Sequence, residues 1–159
     1  MSEDFAGIYD RCFPKVYNYV RCRVKSPEAA DDITAKVFEK ALKNLGDYDA
    51  ARAPCEAWIF GIARNSVGDW FRDEARRRET SLEEAPEPAE LSSPETGREN
   101  LRLLEAVSGL DERSRDILAL KFYSEMTNRE IAALTGLGES NVAVIIFRAV
   151  KKLQADFKL

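Results

Sequence analysis

The sequence predicts an all-α fold: two small helical domains joined by an acidic, proline-containing linker, the C-terminal domain a helix-turn-helix. Three observations predict it. Apolar residues recur at helical spacing on both sides of a polar stretch, and no convincing strand pattern occurs. The polar stretch at residues 79–99, ETSLEEAPEPAELSSPETGRE, holds Pro86, Pro88 and Pro94 and little periodicity, so it reads as a tether. Thr127-Asn128-Arg129-Glu130 and Gly136-Leu137-Gly138 bracket a short helix that precedes a longer one. The 159 residues thus divide into 1–79, a linker at 80–98, and 99–159.

The first helix is expected over roughly Glu3–Val24, with Phe5, Ile8, Tyr9, Cys12, Val16, Tyr19 and Val20 in register and Pro14 as a candidate kink. Ser26 then caps a helix with Pro27 at its first position. That helix runs to about Leu45 and places Ala30, Ile33, Val37, Phe38, Ala41, Leu42 and Leu45 on one face, with Gly46 ending it. The loop GDYDAARAPC leads to a third helix, about Glu56–Arg78, whose buried face is Trp58, Ile59, Ile62, Ala63 and Val67. Beyond the linker, Asn100–Gly109 is helical. Asp111 caps a helix carrying Ile117, Leu118, Leu120 and Phe122. Thr127 and Glu130 form a capping box over a short helix with Ile131, Ala132 and Leu134. After the glycine turn, the last helix spans Glu139–Phe157.

Composition narrows the function. The chain is 45% hydrophobic and 33% charged, which fits a folded soluble protein. Its cysteines, Cys12, Cys22 and Cys55, form no Cys-x-x-Cys pair, and there is no histidine. A disulfide framework, a structural zinc and histidine-based catalysis are all disfavoured. With no nucleophile–base pair and no phosphate loop, neither an enzyme nor a cofactor or metal is expected. The thiols read as reduced and partly buried. Cys55, in a predicted loop, is the candidate if one of them senses redox. No apolar run approaches the roughly 20 residues of a membrane helix. The opening MSEDFAGIYD is acidic, so a cytoplasmic address without membrane insertion is expected.

The net charge of −4 conceals a division, because residues 79–99 alone carry −6 and the segments on either side carry +1 each. The acidic tether either repels DNA phosphates or is a plain solvated spacer. The third predicted helix, AWIFGIARNSVGDWFRDEARRR, interleaves arginines with aromatics, a pattern suited to melted nucleic acid. It is equally an amphipathic helix whose tryptophans are core and whose arginines pair with Asp69, Asp73 and Glu74 four residues away. The C-terminal pair fits a DNA-binding helix-turn-helix, although plain bundles contain similar pairs.

Taken together and in order, three stretches resemble the extracytoplasmic-function sigma factors, the small two-domain class of bacterial transcription initiation subunits. AADDITAKVFEKALKNL resembles the helix that docks on the β′ clamp helices of RNA polymerase, and Asp32, Ile33, Val37 and Phe38 match it. Lys36 departs, since the family commonly carries an acidic residue there. AWIFGIARNSVGDWFRDEARR resembles the helix that melts the −10 element, matched by Trp58, Ala63, Arg64, Asn65, Asp69 and Arg72, with Arg76 following. The loop from Gly46 to Pro54 corresponds to the one that captures a flipped −10 base and supplies Asp47, Tyr48, Asp49 and Arg52. LDERSRDILALKFYSEMTNREIAALTGLGESNVAVIIFRAVKKL resembles the domain that binds the −35 element. The resemblance implies core polymerase (β′ clamp helices and β flap), promoter DNA and an anti-sigma factor as partners.

The last helix also departs from the family. Where its recognition helix usually carries basic and hydroxyl side chains, this one has Ala143, Val144 and Ile145. Val142, Ile146, Ala149 and Leu153 fall on a core face, which leaves Val144, Ile145, Phe147 and Val150 as surplus apolar groups. Three accounts stay open. The helix reads DNA through Glu139, Ser140 and Asn141, with apolar groups meeting thymine methyls and Arg129, Arg148, Lys151 and Lys152 holding phosphates. It binds a protein such as an anti-sigma factor. Or it is covered by self-association or by the N-terminal domain. A functional alternative follows: a sigma-like interaction module that no longer reads the −35 element.

Overall fold

The computed structural model describes residues 4–24, 26–80 and 105–157. The chain separates into two compact units, residues 1–89 and 90–159. The expected linker, apart from Thr80, and the first five residues of the Asn100–Gly109 helix lie outside the described residues. No strand occurs among those described.

The first unit holds α1 (Phe5–Arg23), α2 (Pro27–Lys43), a single 3-10 turn (Leu45–Asp47) and α3 (Cys55–Thr80). Each helix packs against the other two. Asp4 caps α1 by accepting from the Gly7 amide, and the helix continues through Pro14 as one element. Ser26 accepts from the Ala29 amide, with Pro27 at the first helical position. The core joins Cys12, Val16 and Val20 of α1 to Ile33, Val37 and Ala41 of α2 and to Ile59, Phe60, Ala63 and Val67 of α3. Tyr19 and Phe60 meet edge-on at 6.1 Å. At the surface Glu56 ties α3 to α1 through Arg11 (3.1 Å) and Lys15 (3.8 Å).

Three expectations change here. Helix α2 ends at Lys43, two residues early, because the Asn44 side-chain amide donates to the Lys40 carbonyl at 2.9 Å. Gly46 plays no left-handed role; the only glycine with positive φ among the described residues is Gly136. Leu42, assigned to the buried face, is 55% exposed.

The second unit opens with helical residues 105–108. It continues with α4 (Glu112–Leu118), a π-helical turn (Ala119–Tyr123), α5 (Asn128–Thr135) and α6 (Glu139–Phe157). Asp111 stands at the N-cap of α4 without the expected side-chain cap hydrogen bond, and its carboxyl is held below the ordinary value chiefly by the Ser114 hydroxyl. The capping box is present: Thr127 accepts from the Glu130 amide at 3.1 Å while Glu130 accepts from the Thr127 amide. Leu110, Leu118 and Ala149 form a cluster against which Ile146, Val150 and Leu153 pack. Val150, counted as surplus from sequence, therefore belongs to the core face. Phe122 turns outward at 58% exposure. It lies within the π-turn, which shifts the register that a regular helix would have kept.

Candidate nucleic-acid interface

In the second unit the Gly136-Leu137-Gly138 turn joins α5 to α6 at a bend of 109°, within the range of DNA-binding helix-turn-helix pairs. The turn is held locally. Gly136 adopts φ 78° and donates to the Ala132 carbonyl at 2.9 Å. The Thr135 hydroxyl donates to the Ile131 carbonyl at 2.7 Å. A Cβ at position 136 would meet no steric barrier, but the left-handed backbone favours glycine.

Helix α6 is two-sided. Val142 and Ala149 are buried, Ile145 and Ile146 are half-buried, and Ser140, Asn141, Ala143, Val144, Phe147, Arg148 and Lys151 are exposed. The apolar excess is thus smaller than the sequence suggested and reduces to Val144 (43% exposed) and Phe147 (61%), beside Ala143. Lys151 places its ammonium 5.0 Å from the Phe147 ring centre. Lys152, expected to hold phosphate, instead donates to the Gly109 carbonyl at 3.3 Å. Arg129 and Glu139 are both exposed, on α5 and at the start of α6.

In the first unit, the loop before α3 is closed on itself. The Tyr48 hydroxyl donates to the Ala53 carbonyl at 2.8 Å, and its ring lies 5.0 Å from Trp58 at a 36° tilt. The Asp49 carboxylate accepts from the Ala51 amide, so it is engaged in its own turn. Asp47 and Arg52 are exposed. Trp58, expected in the core, is half-buried at the loop, while Phe60, which sequence reasoning missed, is buried. Cys55 is the first residue of α3 rather than a loop residue. Cys12 is buried, and desolvation followed by the nearby Glu56 charge pushes its thiol up to about 11.

The charges of α3 pair three residues apart, not four. Arg72 pairs with Asp69, Arg76 with Asp73 at 4.0 Å, and Arg77 with Glu74 at 3.8 Å. All three arginines are exposed, so each pair is worth only about 0.3–0.5 kcal/mol. A phosphate can displace such a carboxylate at little cost. Arg64 is half-buried and Asn65 exposed. On α2, Asp32 is exposed, but Ile33, Val37 and Phe38 are buried inside the unit. Those three frame the helix rather than form its outer surface.

The sequence agrees with these two units. The Sigma-70 region 2 profile matches residues 8–77, and the Sigma-70, region 4 profile matches residues 100–153. The ECF RNA polymerase sigma factor RpoE of Cereibacter sphaeroides is 32% identical, over 94% of this chain and 84% of its own length. The ECF RNA polymerase sigma factor BldN of Streptomyces coelicolor is 30% identical over 96% of this chain; the chain spans 60% of that protein's length. The sigma factor RpoE of Bartonella quintana, solved in complex with the anti-sigma factor NepR, superposes with a TM-score of 0.80. That match covers 99% of both chains at 21% identity and speaks for the fold alone. With both sigma-70 regions in their order and relatives matched along nearly the whole sequence, this chain belongs to the extracytoplasmic-function (ECF) RNA polymerase sigma factors.

Proposed function

We propose that the chain is a promoter-recognition subunit. It binds core RNA polymerase through α2, opens and reads the −10 element with α3 and its preceding loop, and reads the −35 element with α6. The observation that carries this is the pairing of each helical unit with its own sigma-70 region, the second of them built as a helix-turn-helix bent at 109°. The working parts are residues 1–79 and 99–159, with 80–98 as tether. The chain makes no bond itself; phosphodiester synthesis belongs to the polymerase. It acts in the cytoplasm, and no single helix among the described residues is long and apolar enough to cross a membrane.

The β′ clamp helices dock on the exposed side of α2, which carries Asp32 and Lys36, with the exposed apolar Leu42 near its C-terminal end. Ile33, Val37 and Phe38 hold that surface from beneath. The β flap is the partner of the second unit. At the −10 element, a flipped base costs a few kcal/mol of unstacking. Stacking on an aromatic such as Tyr48 or Trp58 returns about 1–3 kcal/mol. Arg52, Arg64, Asn65, Arg72 and Arg76 serve the opened strand, and Asp69 holds Arg72 until phosphate replaces it. At the −35 element, Arg129, Arg148 and Lys151 hold phosphates, while Glu139, Ser140 and Asn141 meet base edges. An anti-sigma factor is the natural regulator, as in the complex of the Bartonella quintana relative.

The exposed Val144 and Phe147 favour a second reading, a sigma-like module that binds polymerase or a regulator without reading the −35 element. Salt dependence separates the two, because phosphate contacts weaken steeply with salt and apolar protein contacts do not. The deciding experiment is transcription with purified core polymerase and mapped start sites. Discrete starts sharing upstream −10 and −35 motifs are expected. Binding to core polymerase without promoter-directed starts would refute the proposal. Asn141→Ala should weaken −35 binding by about 1–3 kcal/mol; unchanged affinity would move the function of α6 to a protein contact.

A further inference from the structure

Helix α6 carries its largest outward apolar groups where a reading helix meets its target. At about 100° per residue, Val144 lies about 160° round the helix from buried Val142 and about 140° from buried Ala149. It is the most outward large side chain of the helix's first two turns. Ser140 precedes it and Phe147 and Lys151 follow it on the same line, with Asn141 and Arg148 along one flank. This line therefore runs from hydrogen-bonding groups through apolar ones to cations.

A protein-docking patch is usually depleted of charge at its centre. Here the apolar pair is continuous with Arg148 and Lys151, and Lys151 is drawn over the Phe147 ring. That charge is complementary to a phosphate backbone beside the groove. Within a major groove, the one apolar feature of a base edge is the thymine 5-methyl, while Asn pairs with adenine.

We propose that Val144 determines promoter specificity by packing against a thymine methyl in the −35 element, next to the position met by Asn141. The inference rests on the −35 reading above and names what that reading selects: an element containing A·T pairs, distinguished by shape rather than by charge.

The test uses the full chain assembled with core polymerase. A duplex pool randomised across the −35 region is selected on this holoenzyme. The recovered duplex is then resynthesised with deoxyuridine replacing each −35 thymine in turn, which deletes one methyl. At one position affinity should fall about fourfold, the worth of one buried methyl group. Val144→Ala should lose a similar factor on the thymine duplex and become indifferent to uridine. Circular dichroism confirms folding, and since Val144 is exposed the variant should fold. The proposal is overturned if no thymine is sensitive, or if Val144→Ala still distinguishes thymine from uridine. Failure to recover any −35 sequence overturns the −35 reading itself and this inference with it.

Discussion

Replacing Tyr48 with phenylalanine removes one oxygen and keeps a ring. The lost group donates to the Ala53 carbonyl at 2.8 Å and closes the loop before α3. A net hydrogen bond is worth about 0.5–1.5 kcal/mol. Ala53 is half-buried, so water partly restores the carbonyl, and the expected loss is about 1 kcal/mol or slightly less. Tyr48→Ala also removes the Trp58 ring pair, which adds about 0.5–1.5 kcal/mol beyond the lost area. Both tryptophans of the chain, Trp58 and Trp70, stand in α3, so tryptophan fluorescence during guanidinium unfolding reports on the first unit alone. For a unit of this size, 1 kcal/mol corresponds to roughly 4–8 °C in Tm. Burial first, then Cys55 and Asp49, raises the Tyr48 pKa. A raised acid contributes stability that is present below its unfolded value, about 10, and is lost as pH climbs toward the folded value. The gap between wild type and Tyr48→Phe should therefore close above about pH 10. Equal stability of the two at pH 7 would refute the closed loop.

Three further outcomes are expected. With its thiol pushed up to about 11, Cys12 should be about one-thousandth thiolate at pH 8 and label with a chromogenic disulfide only on unfolding. Its contribution to stability, whole below the ordinary thiol pKa, should fade between there and about 11. Glu125 adopts φ 57°, so Glu125→Gly should equal or exceed wild-type stability, whereas β-branched Glu125→Val should lose about 1–2 kcal/mol by circular-dichroism melting. Thr127→Ala removes the capping box and should cost about 1 kcal/mol, with Thr127→Asn recovering most of it.

Local chemistry made much of this fold legible. The Thr127–Glu130 box, the Ser26-Pro27 start and the span of the last helix all follow from groups within four residues of one another. Features set by non-local packing were not legible. Helical spacing assigns Leu42 and Phe122 to buried faces, yet neither has a neighbouring element over it. Phe60 is buried because Tyr19 of α1 reaches it, a contact across 41 positions of sequence that periodicity cannot register. The π-turn at Ala119–Tyr123 leaves no mark in the sequence pattern. Within the candidate interface, the residue types were readable, but their division between frame and surface was not. Ile33, Val37 and Phe38 match the expected docking helix by identity, yet they are buried within the first unit.

The two-sidedness of α6 bears on how such a protein changes over generations. Its inner residues, Val142 and Ala149, answer to the fold, whereas Ser140, Val144 and Phe147 stand outside it. Substitutions at exposed positions ordinarily move stability by no more than about 0.5 kcal/mol. On the proposed −35 reading, a duplicated copy can therefore exchange its outward residues one at a time, and acquire a different set of target genes, without passing through an unfolded ancestor.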